Sequence, residues 1–102
     1  MPSRGEVWIV DLGLAGKARP AVILNTPFAE TDRALITVIP HTQALRGSRF
    51  EVSVSARFLR GGAFLVQNPV TIPAIKAERL LGRLTPQQLA LVEAGVRHWL
   101  GL

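Results

Sequence analysis

The hydrophobic periodicity of this chain changes once, and this change constrains the fold more than any other feature. Before Thr85 the apolar residues form short, β-branched runs separated by glycine, proline and polar residues, as in strands. After Thr85 they recur at three- and four-residue spacing, which predicts one amphipathic helix. We therefore expect a mainly β protein, a small barrel or strongly bent sheet closed by a C-terminal helix.

The strand boundaries follow from the ends of the apolar runs. Pro40 is expected to stop the third strand, and the stretch 71–77, which contains Pro73, is compatible with a helical turn or a strand edge. The predicted strands are Glu6–Leu12, Arg19–Leu24, Ala34–Ile39, Arg49–Ser53, Ala63–Gln67 and Arg79–Leu84.

The predicted helix has clear signals at both ends. Thr85 as N-cap, Pro86 at the first helical position and Gln88 at the third match a capping box. Gly101 can end the helix in the left-handed conformation.

Length and composition exclude several classes of protein. A chain of 102 residues has room for one core, so we expect a single domain over residues 1–102. No apolar run approaches the ~20 residues that span a bilayer, and the N-terminus lacks a signal-peptide pattern. There is no cysteine, and the two histidines are far apart. These features favour a cytoplasmic protein without metal, cofactor or membrane contact.

The charge favours an anionic partner. Lysine and arginine number 12 against 7 acidic residues, which gives a net charge of +5, and ten of the 12 are arginine. Guanidinium groups pair with phosphate and stack on bases, so the surface suits nucleic acid, although it also suits an acidic protein.

Two segments place polar side chains at the ends of neighbouring strands. Arg19 stands at the entrance of a strand and is followed by Pro20, which stiffens the backbone that carries it. About twenty residues later His41 and Thr42 follow Pro40, a spacing that lets the two strand ends converge. A guanidinium, a hydroxyl and an imidazole together would suit metal-free cleavage of an RNA phosphodiester. The alternatives are an arginine at a solvated strand end and a threonine bonded to its local backbone.

The order of four segments carries a family resemblance. RGEVWIVDL, GKARPAVIL, IPHTQ and FEV, running from Arg4 onward, resemble the MazF/PemK (Kid-like) toxins of type II toxin–antitoxin modules. The resemblance implies an SH3-like barrel with a terminal helix, the fold also of CcdB, and a homodimer. It also implies a metal-independent endoribonuclease that cuts single-stranded mRNA, leaves 2′,3′-cyclic phosphate and 5′-hydroxyl ends, and inhibits translation and growth. A cognate acidic, MazE-like antitoxin would hold it inactive.

The resemblance also assigns catalytic residues, with one departure. It implies that Arg19 stabilises or protonates the phosphate and that Thr42 positions the phosphate or the attacking hydroxyl. Some relatives carry Arg-x-Asp-Gln, with acid and base roles, where this chain has 64–67 (FLVQ), so only Gln67 matches. We hypothesise that His41 supplies the missing proton transfer.

Further residues are predicted to contact RNA, although each could equally be a solvated or packed side chain. Lys17, Arg46 and Arg49 are expected to contact RNA phosphates. The side-chain amides of Gln43 and Gln67 are also expected to contact RNA, and Phe28 is expected to stack on a base.

Two other functions remain open at the level of sequence. A gyrase poison of the CcdB type would need an aromatic-led C-terminal tail, which 99–102 (WLGL) matches only loosely. A catalytically dead barrel that binds RNA or an antitoxin would agree with the absent Asp.

Overall fold

The part of the chain that the structure describes folds into seven strands and one α-helix. The computed structural model describes residues 1–13 and 18–102. The elements are β1 (Glu6–Asp11), β2 (Ala18–Ile23), β3 (Leu35–Thr42), β4 (Glu51–Val52), β5 (Ala63–Leu65), β6 (Val70–Pro73), β7 (Ala77–Arg83) and α1 (Pro86–Leu100). The prediction of a mainly β protein with one C-terminal helix is confirmed.

The strand β3 organises the sheet because it has three different partners. All pairings are antiparallel, in the order β4-β5-β3-β2-β1-β7, and β6 also pairs with β3. β3 pairs with β6 over its first half, with β2 from Val38 to Pro40, and with β5 at His41 and Thr42. A strand that changes partner along its length bends the sheet, and the bend here follows Pro40.

The prediction that Pro40 stops this strand is wrong. Proline has no amide hydrogen to donate, so in sheets it occupies edges, bulges or positions where a ladder ends. Pro40 is the last residue of β3 that pairs with β2, and the next residue already pairs with β5. The missing donor therefore falls at the exchange of partners. His41 and Thr42, which lie beyond the predicted end of the strand, are strand residues.

Other boundaries also differ from the prediction. β4 comprises only two residues, because the chain before it is folded into a turn held by the Glu51 carboxylate. β5 ends at Leu65 instead of Gln67. The ambiguous stretch 71–77 contains both candidates, the end of β6 and a 3-10 turn, Ala74–Lys76, that leads into β7.

The central strands are buried on both faces, which explains their continuous apolar sequences. Val22 and Ile39 belong to the hydrophobic cluster that includes Val92 of the helix. Ala21 and Val38, their neighbours in sequence, point to a second cluster on the other face. Successive strand side chains alternate, so each β-branched run supplies both clusters.

Helix α1 begins and ends as the sequence predicts. The Thr85 hydroxyl accepts a hydrogen bond from the Gln88 amide at 3.1 Å, and the Gln88 side chain accepts one from the Thr85 amide at 3.0 Å. Gly101 ends the helix with φ of 71°, in the left-handed region. Val92 is fully buried, so the helix covers one open face of the bent sheet.

The approach of α1 to the sheet requires a glycine. A Cβ atom at Gly95 would lie 3.0 Å from both γ-carbons of Val66. We expect Gly95→Leu to lower the free energy of unfolding by about 1 kcal/mol or more, because overpacking costs more than the improved helix propensity returns. Urea unfolding measures this, and Ala94→Leu at the neighbouring exposed position should change stability by less than about 0.5 kcal/mol. Equal stabilities of the two variants would contradict the close packing.

Candidate active site

The ends of β2 and β3 separate and form a shallow cavity. Their hydrogen-bonded register ends at Ala21 opposite Pro40, after which β3 turns toward β5. Extending that register by two residues places Arg19 opposite Thr42, on the same face. The cavity measures about 340 Å³, and its walls are formed by Arg19, Pro20, His41, Thr42, Gln43 and Ala44. The structure therefore brings the predicted arginine, threonine and histidine together.

Arg19 gives the cavity its positive charge. Its side chain is exposed, and its backbone is held in β2 opposite Val10 of β1. Ion pairs within 4 Å in the described ranges, 1–13 and 18–102, are Arg4–Glu93, Lys76–Asp11 and Arg83–Glu6. No described carboxylate therefore neutralises Arg19. A guanidinium in this position can bind an oxyanion such as a phosphate.

Thr42 is compatible with both roles that the sequence left open, a bond to the local backbone and a contact with a phosphate. Its side chain is buried, with 6% exposed, and its hydroxyl oxygen accepts a hydrogen bond from the Ala44 amide at 3.1 Å. The local backbone bond is thus present. Because the hydroxyl acts there as an acceptor, its hydrogen is left to donate to an oxygen in the cavity.

His41 is the other buried polar residue of the site. It is 4% exposed, and its ring lies edge-on to Phe64 with centroids 5.0 Å apart. Its Nε2 has no hydrogen-bond partner among the described residues. Burial lowers the pKa of His41 from its ordinary value of 6.5, and the backbone of Gly61 opposes this shift. The imidazole is therefore neutral at pH 7, with a nitrogen free to accept a proton.

The turn before β5 holds both residues in place. Gly62 has φ of 75°, and a Cβ atom there would lie 2.3 Å from the Thr42 carbonyl oxygen and 2.7 Å from Cε1 of His41. A side chain at this position is excluded both by the backbone conformation and by space. The double glycine, Gly61 and Gly62, thus permits the turn to pack on the two polar residues.

The segment after this turn cannot supply acid–base groups. Phe64 and Val66 are fully buried in the same hydrophobic cluster, whereas Gln67 is exposed. The two positions at which Kid-like relatives would place Arg and Asp are therefore part of the core of this protein.

A second cavity adjoins the first at Ala44. It measures about 390 Å³, and its walls are Ala44, Arg46, Ser48, Glu51, Leu65, Gln67 and Asn68. Two of the predicted RNA contacts, Arg46 and Gln67, therefore lie beside the candidate active site. The two cavities therefore lie side by side along the β3–β4 loop.

The remaining predicted contacts are less closely grouped. The Gln43 amide lines the first cavity but donates to the Arg60 carbonyl oxygen at 2.7 Å, so it also ties two loops together. The Arg49 guanidinium lies 4.7 Å from the centroid of its neighbour Phe50 and lines neither cavity.

Phe28 is not brought to this surface. It packs against the second hydrophobic cluster and lines a separate, small cavity beside Met1 and Arg4. Its predicted stacking on a base is therefore not supported by its position. Lys17 lies outside the described residues.

Three features of the site had weak signals or none in the sequence. The double glycine at 61 and 62 is typical of a turn, but nothing in the sequence indicates what the turn packs against. Glu51 holds the turn at 46–48 through its carboxylate, and Asn68 lines the second cavity. Neither residue has a spacing that would have identified it.

The described residues contain no group of three or more histidine, cysteine or acidic side chains that could hold a metal ion. None of the described helices has the length and apolar character to cross a membrane.

Several solved structures share this fold closely. They include a mycobacterial endoribonuclease in complex with its cognate antitoxin, with TM-score 0.84, 24% identity, and coverage of 100% of this chain and 97% of that chain. They also include MazF in a MazE–MazF complex from Deinococcus radiodurans, with TM-score 0.80, 24% identity, and coverage of 98% of this chain and 96% of that chain. A third is the Mycobacterium tuberculosis toxin MazF-mt6, with TM-score 0.80, 27% identity, and coverage of 95% of this chain and 97% of that chain. No curated protein sequence matches the chain significantly.

The sequence itself identifies the family. Residues 3–100 match the family of PemK-like, MazF-like toxins of type II toxin–antitoxin systems. The chain belongs to this family, and the resemblance found in its motifs is confirmed.

The double glycine offers a direct test of the site's construction. Both glycines have positive φ, but a Cβ atom at Gly61 would meet nothing within 4 Å. Gly61→Ala should therefore cost only the strain of the left-handed backbone, about 1–2 kcal/mol. Gly62→Ala should lower the free energy of unfolding by about 1 kcal/mol more than Gly61→Ala, because the Thr42 carbonyl must also move. Thermal unfolding compares them, and identical midpoints would refute the role of Gly62.

Proposed function

We propose that this protein is a metal-independent endoribonuclease toxin that cleaves single-stranded mRNA at short sequences and so inhibits translation and growth. One observation carries the proposal: the unneutralised guanidinium of Arg19 shares a cavity with the Thr42 hydroxyl and the His41 imidazole. Membership of the toxin family and the similarity to endoribonucleases of this fold support it.

The proposed reaction is an attack of the ribose 2′-hydroxyl on the adjacent phosphorus. The O2′–P bond forms and the P–O5′ bond breaks, which leaves a 2′,3′-cyclic phosphate and a 5′-hydroxyl. Arg19 stabilises the negative charge that develops on the phosphorane oxygens. Thr42 donates a hydrogen bond that orients the phosphate.

Proton transfer is assigned to His41 in this proposal. Neutral Nε2 takes the proton of the 2′-hydroxyl. The 5′-oxygen leaves on the opposite side of phosphorus and takes its proton from water in the open cavity, and the imidazolium afterwards loses its proton to solvent. Nε2 is buried in the free protein, so the proposed proton transfer requires that RNA binding opens a path between this nitrogen and the hydroxyl.

The RNA strand is proposed to continue from the first cavity into the second. Arg46 would contact a phosphate there, and the Gln67 amide would contact a base edge. Gln43, Arg49 and Lys17 are proposed as further RNA contacts.

The same surface is proposed to bind an acidic antitoxin, since the net charge of +5 favours an anionic partner. Structures of relatives in complex with antitoxins support this. We further propose that residues 1–102 form one domain, that the toxin is a homodimer, and that it acts in the cytoplasm without a cofactor.

The role of Arg19 predicts a large kinetic effect. We expect Arg19→Ala to reduce cleavage by about 100-fold or more, because one positioned charge-stabilising group contributes that much. The assay uses purified protein and labelled single-stranded RNA in EDTA. Arg33→Ala is the matched control, since this exposed arginine precedes the other end of β3 and its loss changes the net charge equally. A variant lacking Arg19 that keeps more than about a tenth of the parental rate would contradict the mechanism.

The same assay, with a parallel incubation with DNA gyrase and DNA, separates the other possible functions. Cyclic-phosphate ends support the nuclease. Binding of RNA without cleavage would indicate a dead barrel, and a trapped complex with DNA gyrase would indicate a poison of the CcdB type.

The lowered pKa of His41 predicts a pH dependence. Its neutral form is the base, so the cleavage rate should fall as the pH drops through the folded-state pKa, which lies below 6.5. The unfolded chain takes up this proton already near pH 6.5, so the free energy of unfolding should decrease as the pH falls from 6.5 to the folded-state pKa and be fully retained above 6.5. His41→Ala should remove the inflection in the rate and slow cleavage, whereas His98→Ala should keep it. A His41→Ala protein that matches the parent between about pH 5 and about pH 8 would exclude this base.

A further inference from the structure

One acidic side chain lines the surface proposed for RNA. Among the described residues that form the walls of the two adjoining cavities, Glu51 is the only carboxylate. A carboxylate beside the path of a polyanion repels it, so this position needs a physical explanation.

The Glu51 carboxylate is occupied by backbone donors. Oε2 accepts a hydrogen bond from the Arg46 amide at 2.9 Å, and Oε1 accepts one from the Ser48 amide at 3.0 Å. The Arg46 amide is the main cause of a lowered Glu51 pKa, to which the amides of Ser48 and Gly47 and the Arg46 charge add, while burial opposes it. The group is therefore ionised at neutral pH, and it is a poor general base.

These bonds close the segment 46–51 into a tight turn. Gly47 has φ of 76°, the Phe50 amide donates to the Ser48 hydroxyl at 3.1 Å, and the Glu51 amide donates to the Ser48 carbonyl at 3.2 Å. The Glu51 side chain thus fixes the backbone from which Arg46 projects.

The Arg46 guanidinium remains available to a ligand. It lines the second cavity, and none of the ion pairs within 4 Å in the described ranges includes it. Glu51 binds the backbone amide of Arg46 but makes no ion pair within 4 Å with its guanidinium. An arginine whose backbone is fixed in advance loses less conformational freedom when it binds a phosphate.

We propose that Glu51 is a positioning residue for RNA: it fixes the turn at 46–48 so that Arg46 is placed to contact a phosphate next to the cleaved bond. This inference rests on the proposed endoribonuclease function and assigns to it a residue that does not itself touch the reacting atoms.

The proposal and simple electrostatics predict opposite changes in RNA affinity when the Glu51 charge is removed. If Glu51 acted only as a negative charge, Glu51→Gln would tighten RNA binding. If it positions Arg46, the same substitution should weaken binding, because glutamine has one acceptor oxygen for two amides.

The test measures binding of a single-stranded RNA in which 2′-deoxyribose blocks cleavage, by fluorescence anisotropy. We expect Glu51→Gln to raise Kd, and KM of cleavable RNA, by about tenfold, roughly the effect of one charge-assisted hydrogen bond, with kcat within about twofold. Glu78→Gln, an exposed carboxylate on β7, is the matched control for net charge and should leave Kd unchanged or slightly lower.

A double-mutant cycle shows whether Glu51 acts through Arg46. In an Arg46→Ala background, Glu51→Gln should have little further effect on Kd. Glu51→Asp keeps the charge but is one methylene shorter, so it should also weaken binding. The amide proton shifts of Arg46 and Ser48 report loss of the two hydrogen bonds in any variant that remains folded by circular dichroism.

Several outcomes would overturn the proposal. They are unchanged or tighter binding by Glu51→Gln, additive effects of the two substitutions, or a fall in kcat with KM unchanged. If the parent protein binds no RNA, the proposed function itself fails. If the parent binds RNA and Glu51→Gln binds equally well, only the role of Glu51 fails.

Discussion

The exchange of partners by β3 at Pro40 is the constraint on which the rest of the structure depends. Up to Pro40 this strand pairs with β2, and from His41 onward it pairs with β5. The two strands separate at that point, so a cavity opens between Arg19 and Thr42. A residue with an amide hydrogen would allow the first ladder to continue, whereas proline ends it inside a buried strand.

The site combines an exposed cation with buried polar groups, and each part depends on a different element. Arg19 is accessible because it stands at the end of β2, where the apolar run that fills both clusters has not yet begun. His41 and Thr42 are buried because the Gly61–Gly62 turn packs on them without side chains. The charge can therefore meet a ligand in solution, while the hydroxyl and imidazole stay in fixed positions with little water around them.

The sequence predicted what depends on local pattern and missed what depends on distant contacts. The capping box of Thr85 and Gln88 was predicted residue by residue, because both partners lie within one helical turn. The continuation of β3 past Pro40 was missed, because the partner that permits it is more than twenty residues away. The convergence of Arg19 and Thr42 was expected from strand spacing and family resemblance. Nothing comparable indicated that Glu51 would reach back to the turn before it.

The hydrophobic core also restricts the positions at which acid–base side chains can lie. Phe64 and Val66 are fully buried at the positions that carry Arg and Asp in Kid-like relatives, and an ionised group there would lose its hydration without a partner. The register places His41 directly opposite Phe64, with the imidazole against the phenyl ring. In the proposed mechanism the base has thus moved to the facing strand, across one step of the same ladder. The apolar ring that replaces a charged residue on β5 is also the surface that keeps this imidazole neutral.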